Sequence, residues 1–362
     1  MIQLRKNILP KLEKVKKYFE LIDKNKYYSN RGPLLLELEK RLANHLKISE
    51  DRVVVMCNAT ASLHVGLLNI LSKEKNKEKR FCLCPSYTFA GTPVAINLSG
   101  LEPYFVDIDN RSGNLTPQII LEKFGSDFSK VAAVMPVSCF GTKLDPKVWY
   151  DFSEQYKVEI ITDQAWCFDS YQDFKNNYSA ISLHCTKVLG CGEGGILIVP
   201  GLKEKKSAIE LSNFGFDDKK IAAIRGTNAK MSEYSAAVCH AAIDQWPEIK
   251  KTTLNLQKKY IQEIKKIKNI SLFDGLEDDW CWMSCALRVP PYLRESIQKK
   301  LEELNIESRV WWLGGCHEFP AYSSCKKTDL SNTNKLAKEV LNIPFHPELN
   351  EKDIEKITTC LN

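Results

Sequence analysis

A lysine removed from water can attack a carbonyl group, and Lys187 stands where a chain would hold one. Desolvation and neighbouring cations lower a lysine pKa, and the neutral amine forms an imine with an aldehyde or ketone. The surrounding run SLHCTKVLGCGEGG puts Gly192, Gly194 and Gly195 where the chain turns sharply, just before a short apolar strand, Ile196 to Val199. Taken alone, the same letters describe a surface lysine beside a hairpin. Asp163 closes the run VEIIT and so stands at the C-terminal end of a buried strand. A carboxylate there either caps a following turn or pairs with a protonated ring nitrogen, as pyridoxal phosphate requires if it is to hold electrons withdrawn from an amino acid. On the second reading, Asp163 and Lys187 are two fixed ends of one cofactor.

Two further segments bear on that choice. NATAS, residues 58–62, follows a strand and opens a helix. The free N–H groups of a helix start, with the helix dipole and the Thr60 and Ser62 hydroxyls, cradle a phosphate; an ordinary N-cap at Asn58 or Thr60 explains the same residues. PSYTFA, residues 85–90, supplies aromatics just past another strand end, either to stack on a flat ring or to fill the core. Neither GxGxxG nor GxxxxGK[ST] occurs, which disfavours dinucleotide and nucleotide binding by those routes.

Positioning these groups requires a regular frame. Apolar runs at 52–56, 81–84, 104–106, 131–135 and 158–162 alternate with helical segments at 60–71, 92–98, 116–124 and 146–156. That rhythm predicts β-α-β crossovers and a largely parallel sheet, with ligands at the strand ends. Ahead of it, Leu12, Val15, Phe19 and Ile22 recur at helical spacing, and a second helical pattern spans 34–46. This opening is expected to be an arm or cap without chemistry of its own. After Leu197 the order is mixed: a long helical region from Met231 through Lys268, strands at 282–289 and 309–313, and helices at 294–304, 334–341 and 352–361. The expected division is an N-terminal arm and large domain over 1–249 and a small α+β domain over 250–362.

Composition limits the function classes. Of 362 residues 44% are apolar and 27% charged, as in an ordinary soluble protein, which excludes a mainly disordered or collagen-like chain. The net charge of +6 is spread thinly, and the run from Lys73 to Arg80 is interrupted by Glu74 and Glu78, so it is a solvated face and no nucleic-acid partner is expected. A modest basic excess still suits a small substrate carrying phosphates. The 13 cysteines are odd in number and their spacings do not repeat, so no metal site is expected and the thiols are small core residues in a reducing compartment. Without an apolar secretory region or an apolar stretch of 18 residues, the expected location is cytoplasmic, with no stable membrane association.

In order and spacing, these segments resemble the DegT/DnrJ/EryC1/StrS family of sugar aminotransferases, a branch of the fold-type I pyridoxal phosphate enzymes. The resembling stretches are SNRGPLLLELEKRL, CNATASLHVGL, CPSYTFAGTPVAI, VAAVMPVSCFG, ITDQAWCF, SLHCTKVLGCGEGG, GTNAKMSEYSAAV and LNIPFHPEL, and they span nearly the whole chain. The resemblance implies an α/β fold: a large domain with a mostly parallel central sheet plus a smaller C-terminal α+β domain. It implies pyridoxal 5'-phosphate as cofactor. It puts the family's Schiff-base lysine on Lys187 and its pyridine-nitrogen aspartate on Asp163. The phosphate-binding Gly-Thr step falls on Ala59 and Thr60, with the following backbone at Ala61. The phosphate-contacting serine falls on Ser182 and the ring-stacking aromatic on Phe89. Asn228, in a G-x-N motif, would reach the cofactor phosphate of a neighbouring subunit, which implies a homodimer with shared active sites.

Three departures stand out. Trp166 replaces the usual Gln or His near the cofactor's phenolic oxygen; Ser138 stands in a V-H-x-[YF]-G segment that here is VSCFG; and the usual N-Y-R is Asn228-Ala229-Lys230. A related dehydratase branch has histidine in place of the lysine, and Lys187 argues against it. The implied reaction moves an amino group from glutamate to a nucleotide-linked 4-keto-6-deoxyhexose, with a dTDP-sugar ahead of UDP- or GDP-linked ones. The alternatives are a 3-keto nucleotide sugar or a keto-cyclitol. Lys230 and Arg309 are the candidate contacts for the sugar diphosphate. Use of the product in lipopolysaccharide O-antigen follows by association, and secondary metabolism would look the same. The rival from another class is a catalytically silent sensor or scaffold.

Overall fold

The computed structural model describes residues 1–276 and 279–361. After helices α1 (Leu12–Asn25) and α2 (Pro33–Leu46), strands and helices alternate: β1 (Val53–Met56), α3 (Ala59–Lys73), β2 (Phe81–Pro85), α4 (Gly91–Leu98), β3 (Glu102–Val106), α5 (Pro117–Lys123), β4 (Val131–Val134), α6 (Pro146–Tyr156), β5 (Glu159–Asp163), β6 (Tyr178–Ser182), β7 (Gly195–Ile198) and α7 (Leu202–Ser212). They build a seven-stranded sheet in the order β1-β7-β6-β5-β4-β2-β3. Every pairing from β6 to β3 is parallel, whereas β7 runs antiparallel to both of its neighbours.

The continuous apolar runs follow from burial on both faces. Alternate side chains divide between two cores: Cys82, Cys84, Ala133 and Ile161 pack on one side with α3, while Leu83, Val134 and Ile160 pack on the other with Trp149 and Phe152 of α6. Each fully buried Val, Leu or Ile contributes about 1.5–3 kcal/mol. At the β3 edge, Phe105 exchanges backbone hydrogen bonds with Lys326 and Thr328, so the C-terminal part of the chain covers strand groups that would otherwise be unpaired.

Helix α8 (Glu233–Ile264) leads from this sheet to a smaller antiparallel one, ordered β10-β9-β8 and built from β8 (Ser271–Leu272), β9 (Cys285–Arg288) and β10 (Val340–Ile343). Around it lie α9 (Pro291–Glu303), α10 (Ser331–Glu339) and α11 (Glu351–Thr359). The architecture is a mostly parallel seven-stranded sheet followed by a smaller α+β region. α8 runs unbroken through residue 250, where the sequence suggests a division. Among the described residues no helix is long and apolar enough to cross a membrane.

Several sequence expectations are corrected here. The apolar run 309–313 is not a strand: only Arg309 pairs, with Asn342, and the chain then turns, with Leu313 at φ 57°. The helix expected over 334–341 stops at Glu339, because Val340 and Leu341 leave it to pair with β9. β6 and α7 were not anticipated. Ahead of α1, the chain is tied to the C-terminal region. Ile2 exchanges backbone hydrogen bonds with Asn305 and Glu307, the Leu4 amide donates to Glu307 Oε2 at 2.7 Å, and Phe345 N–H donates to the Leu4 carbonyl.

Candidate active site

β1 lies antiparallel to β7 and β7 antiparallel to β6, so β1, β2, β5 and β6 all point the same way. Their C-terminal ends open on one edge of the sheet, and β7 begins there. Gly195, the first residue of β7, pairs with Met56 on one side and Ser182 on the other. A Cβ on Gly195 would lie 2.3 Å from the backbone carbon of Asn58, so only glycine lets the strand start against the turn carrying NATAS. Gly192, at φ +93°, supplies the left-handed turn ahead of it. The glycines of the lysine segment thus fold the loop 183–194 back over the strand ends.

A cavity of about 920 Å³ occupies this edge. Of the eleven residues that the resemblance points to as cofactor or sugar contacts, all but Lys230 line it; Ser62 does not, because its buried hydroxyl donates to the Asn58 carbonyl at 3.1 Å. Asp163, at the end of β5, is buried; its Oδ2 accepts from Thr92 Oγ1 at 2.8 Å and its Oδ1 from the Ala165 amide at 3.1 Å. An ionised carboxylate has about four acceptor sites, so capacity remains for a donor in the cavity. Burial raises its pKa, opposed by the Thr92 and Ala165 hydrogen bonds and the charge of Lys187.

Lys187 lies in the loop between β6 and β7. Burial, and then the charge of Arg5, brings its amine from 10.5 down to about 7, against the opposing pull of Asp163 and Cys167. A substantial share is therefore a free nucleophile and base at neutral pH. Its Nζ stands 5.0 Å from the centroid of the Trp166 ring, and Trp166 packs edge-on against Phe140. The indole thus forms the wall behind the amine.

At the start of α3, Asn58 is the N-cap: its Oδ1 accepts from the Ala61 amide at 2.8 Å. That takes up the Ala61 N–H and leaves those of Ala59 and Thr60 as helix-start donors with no acceptor inside the helix. Ser182 Oγ accepts from the His184 amide at 3.2 Å and keeps its own O–H to donate. The two aromatics of PSYTFA separate. Tyr87 is fully buried and donates its hydroxyl to the Trp311 carbonyl, whereas Phe89 is 60% exposed and presents its ring to the cavity.

Lys230 Nζ donates to Asn228 Oδ1 at 2.8 Å and lies 4.4 Å over the Phe214 ring. Arg309 stacks 4.7 Å over Trp311. Sequence reasoning missed Thr92, which holds Asp163, and Arg5, whose side chain enters the cavity from the N-terminal arm. A partly neutral lysine, a buried carboxylate with acceptor capacity, an aromatic face and open helix N–H groups fit a phosphorylated aromatic aldehyde with a basic ring nitrogen. Pyridoxal phosphate has those features.

The model of the DegT/DnrJ/EryC1/StrS aminotransferase family matches residues 11–362. The dTDP-4-amino-4,6-dideoxy-D-glucose transaminase of Shigella dysenteriae is 29% identical over 373 residues, which cover 98% of this chain and 96% of that one. The crystal structure of DesI with its TDP-sugar product superposes with a TM-score of 0.85 at 25% identity, over 99% of this chain and 91% of DesI. NtdA from Bacillus subtilis, solved with bound cofactor PMP, shares the fold at a TM-score of 0.84 and 21% identity, over 97% of this chain and 81% of that one.

Proposed function

The chain belongs to the DegT/DnrJ/EryC1/StrS family and is a pyridoxal phosphate-dependent aminotransferase, and from that premise we propose that it moves an amino group from glutamate to a nucleotide-linked 4-keto-6-deoxyhexose. The observation that carries the reading is the pairing, across one large cavity, of an amine tuned to about 7 with a buried carboxylate. Bound pyridoxal phosphate supplies an electron-withdrawing ring that takes up the electron pair released when an amino acid loses its α-proton. Lys187 is the residue that would hold the aldehyde carbon, and its amine, partly neutral near pH 7, would serve as the base for the α-proton. Asp163, anchored by Thr92 and Ala165, keeps the ring nitrogen protonated. Phe89 supports the ring face. The Ala59 and Thr60 amides and the Ser182 hydroxyl receive the phosphate, with the Ala61 amide held in place by Asn58.

A dTDP-linked acceptor is favoured because the Shigella relative is a transaminase of such a sugar and DesI carries a TDP-sugar product. The cavity is large enough for the cofactor and a sugar together, and Arg309 on its wall suits a diphosphate. The product then serves surface-glycan synthesis, such as lipopolysaccharide O-antigen, in the cytoplasm. The deciding assay offers the pyridoxamine-loaded enzyme a panel of keto-sugars, following recovery of the pyridoxal spectrum and locating the new amine by NMR. Recovery with dTDP-4-keto-6-deoxyglucose is expected. Recovery only with a 3-keto sugar, an inositol-like ketone or a free keto-acid overturns the acceptor. A protein that takes up no cofactor and leaves glutamate unchanged is a sensor or scaffold.

The working unit is a homodimer with shared sites, a reading supported by the exposed aromatics Phe214 and Phe216 near Lys230 and Asn228. Asn228 lines the cavity of its own protomer, and complementation decides which cavity it serves. Mixing Lys187→Ala with Asn228→Ala chains is expected to restore cofactor retention in the heterodimer, because one site regains both residues. Mixtures no better than the separate variants refute the shared site.

A further inference from the structure

The N-terminal arm is fixed by backbone pairing to residues 305, 307 and 345, so the side chain that follows Leu4 has a set direction. That side chain is Arg5. Its guanidinium lies 5.7 Å from the centroid of the Trp166 ring, on the same indole that backs Lys187 at 5.0 Å. Nη1 donates to the Thr186 carbonyl at 3.1 Å and Nη2 to the Met283 carbonyl at 3.4 Å. These contacts use two of the five N–H donors of a guanidinium. Among the described residues no carboxylate forms an ion pair with it. The two glutamates on the cavity wall are turned elsewhere: Glu307 accepts from the Leu4 amide, and Glu193 lies 3.6 Å from His184 Nε2.

Arg309 shares this cavity, also without a carboxylate ion pair among the described residues; burial, and then the Arg309 charge, lowers the Arg5 pKa to about 10. Two guanidinium groups that line one cavity without a carboxylate partner suit an anion. Both the amino donor and the nucleotide diphosphate carry anions. Position favours the donor. An α-carboxylate is one bond from the carbon whose proton Lys187 moves, whereas a hexose ring separates the diphosphate from the 4-keto carbon.

We propose that Arg5 binds the α-carboxylate of the amino donor, and that Arg309 receives the second carboxylate of a dicarboxylic amino acid in the first half-reaction, before the sugar diphosphate takes its place there in the second. This rests on the aminotransferase reading with glutamate as donor. It also gives the arm a role in timing. The Arg5 charge disfavours a proton on Lys187, and a carboxylate seated on Arg5 cancels that charge just when Lys187 must accept one.

The test uses holoenzyme and two unreactive probes, glutarate and dTDP, titrated calorimetrically into wild type, Arg5→Gln, Arg5→Lys and Arg309→Gln. Losing a charge-assisted hydrogen bond in Arg5→Gln is expected to weaken glutarate by about 10- to 100-fold and to leave dTDP within about twofold. Arg5→Lys, which keeps the charge but not the fork, should recover part of the loss, and it decides the matter if Arg5→Gln fails to fold. Weakened dTDP with unchanged glutarate assigns the seat to the diphosphate and overturns the proposal; unchanged affinity for both makes Arg5 a packing residue and overturns it too. Wild type that binds no glutarate and is not converted by glutamate overturns the donor reading itself, whereas conversion by glutamate with undiminished glutarate affinity in Arg5→Gln overturns the seat alone.

Discussion

Lys187→Ala is expected to lower turnover by a factor on the order of 10⁴, because one substitution removes both the covalent anchor and the general base. Borohydride reduction followed by peptide mass analysis should place the cofactor adduct on Lys187 in the wild type and find none in the variant; an adduct on another lysine refutes the assignment. The amine also has a pH signature. With its pKa lowered from 10.5 to about 7, the cofactor-free protein should show trinitrophenylation of Lys187 rising through pH 7. A rise only near 10.5 would mark an ordinary solvated amine. The linkage sign agrees: between about 7 and 10.5 the unfolded chain binds a proton that the folded chain does not, so this group adds stability as the pH rises through that window.

Asp163→Asn is expected to raise the barrier of the half-reaction with glutamate by about 3–5 kcal/mol, on the order of 10²–10⁴ in rate, which is the cost of leaving a buried charge without its partner. The fold should survive, since Thr92 and Ala165 can both be satisfied by an amide once the Thr92 hydroxyl rotates to accept. Stopped-flow spectra check the rate, and an unchanged rate would assign ring protonation to another group. The pH dependence of the bound cofactor's absorbance should shift in the same variant, which separates loss of the charge from a general loosening of the site.

The frame was legible in the sequence where burial on both faces wrote continuous apolar runs, as in VVVM of β1 and VAAV of β4. β6, sequence YSAIS, lies as deep in the sheet but carries hydroxyls at a buried centre, where Thr162 Oγ1 donates to Ser179 Oγ at 2.7 Å. Its polarity is satisfied by a neighbouring strand, which a single segment cannot reveal. β10 was misread because Leu341 continues the helical spacing of Leu336 and Ala337, and only the pairing of Leu341 with Leu287 distinguishes strand from helix. Lys187 and Asp163 stood out because each follows or precedes a recognisable strand. Arg5 had no such marker, since its place in the cavity depends on pairing between residues some three hundred positions apart.

Helix α8 gives the molecule a mechanical property. A single beam of 32 residues, about 48 Å long, carries both sheets, so the smaller sheet cannot swing on a slack tether. Bending concentrates where the beam is weakest, at Pro247, which has no N–H to bond the preceding turn. The remaining 17 residues to Ile264 form a lever about 26 Å long, and a flexure of about 5° at the proline displaces its far end by about 2 Å. Arg309, which lines the cavity and pairs with Asn342 of the smaller sheet, would follow that flexure, so a small rotation at one proline would change its distance from Asp163 on the larger sheet.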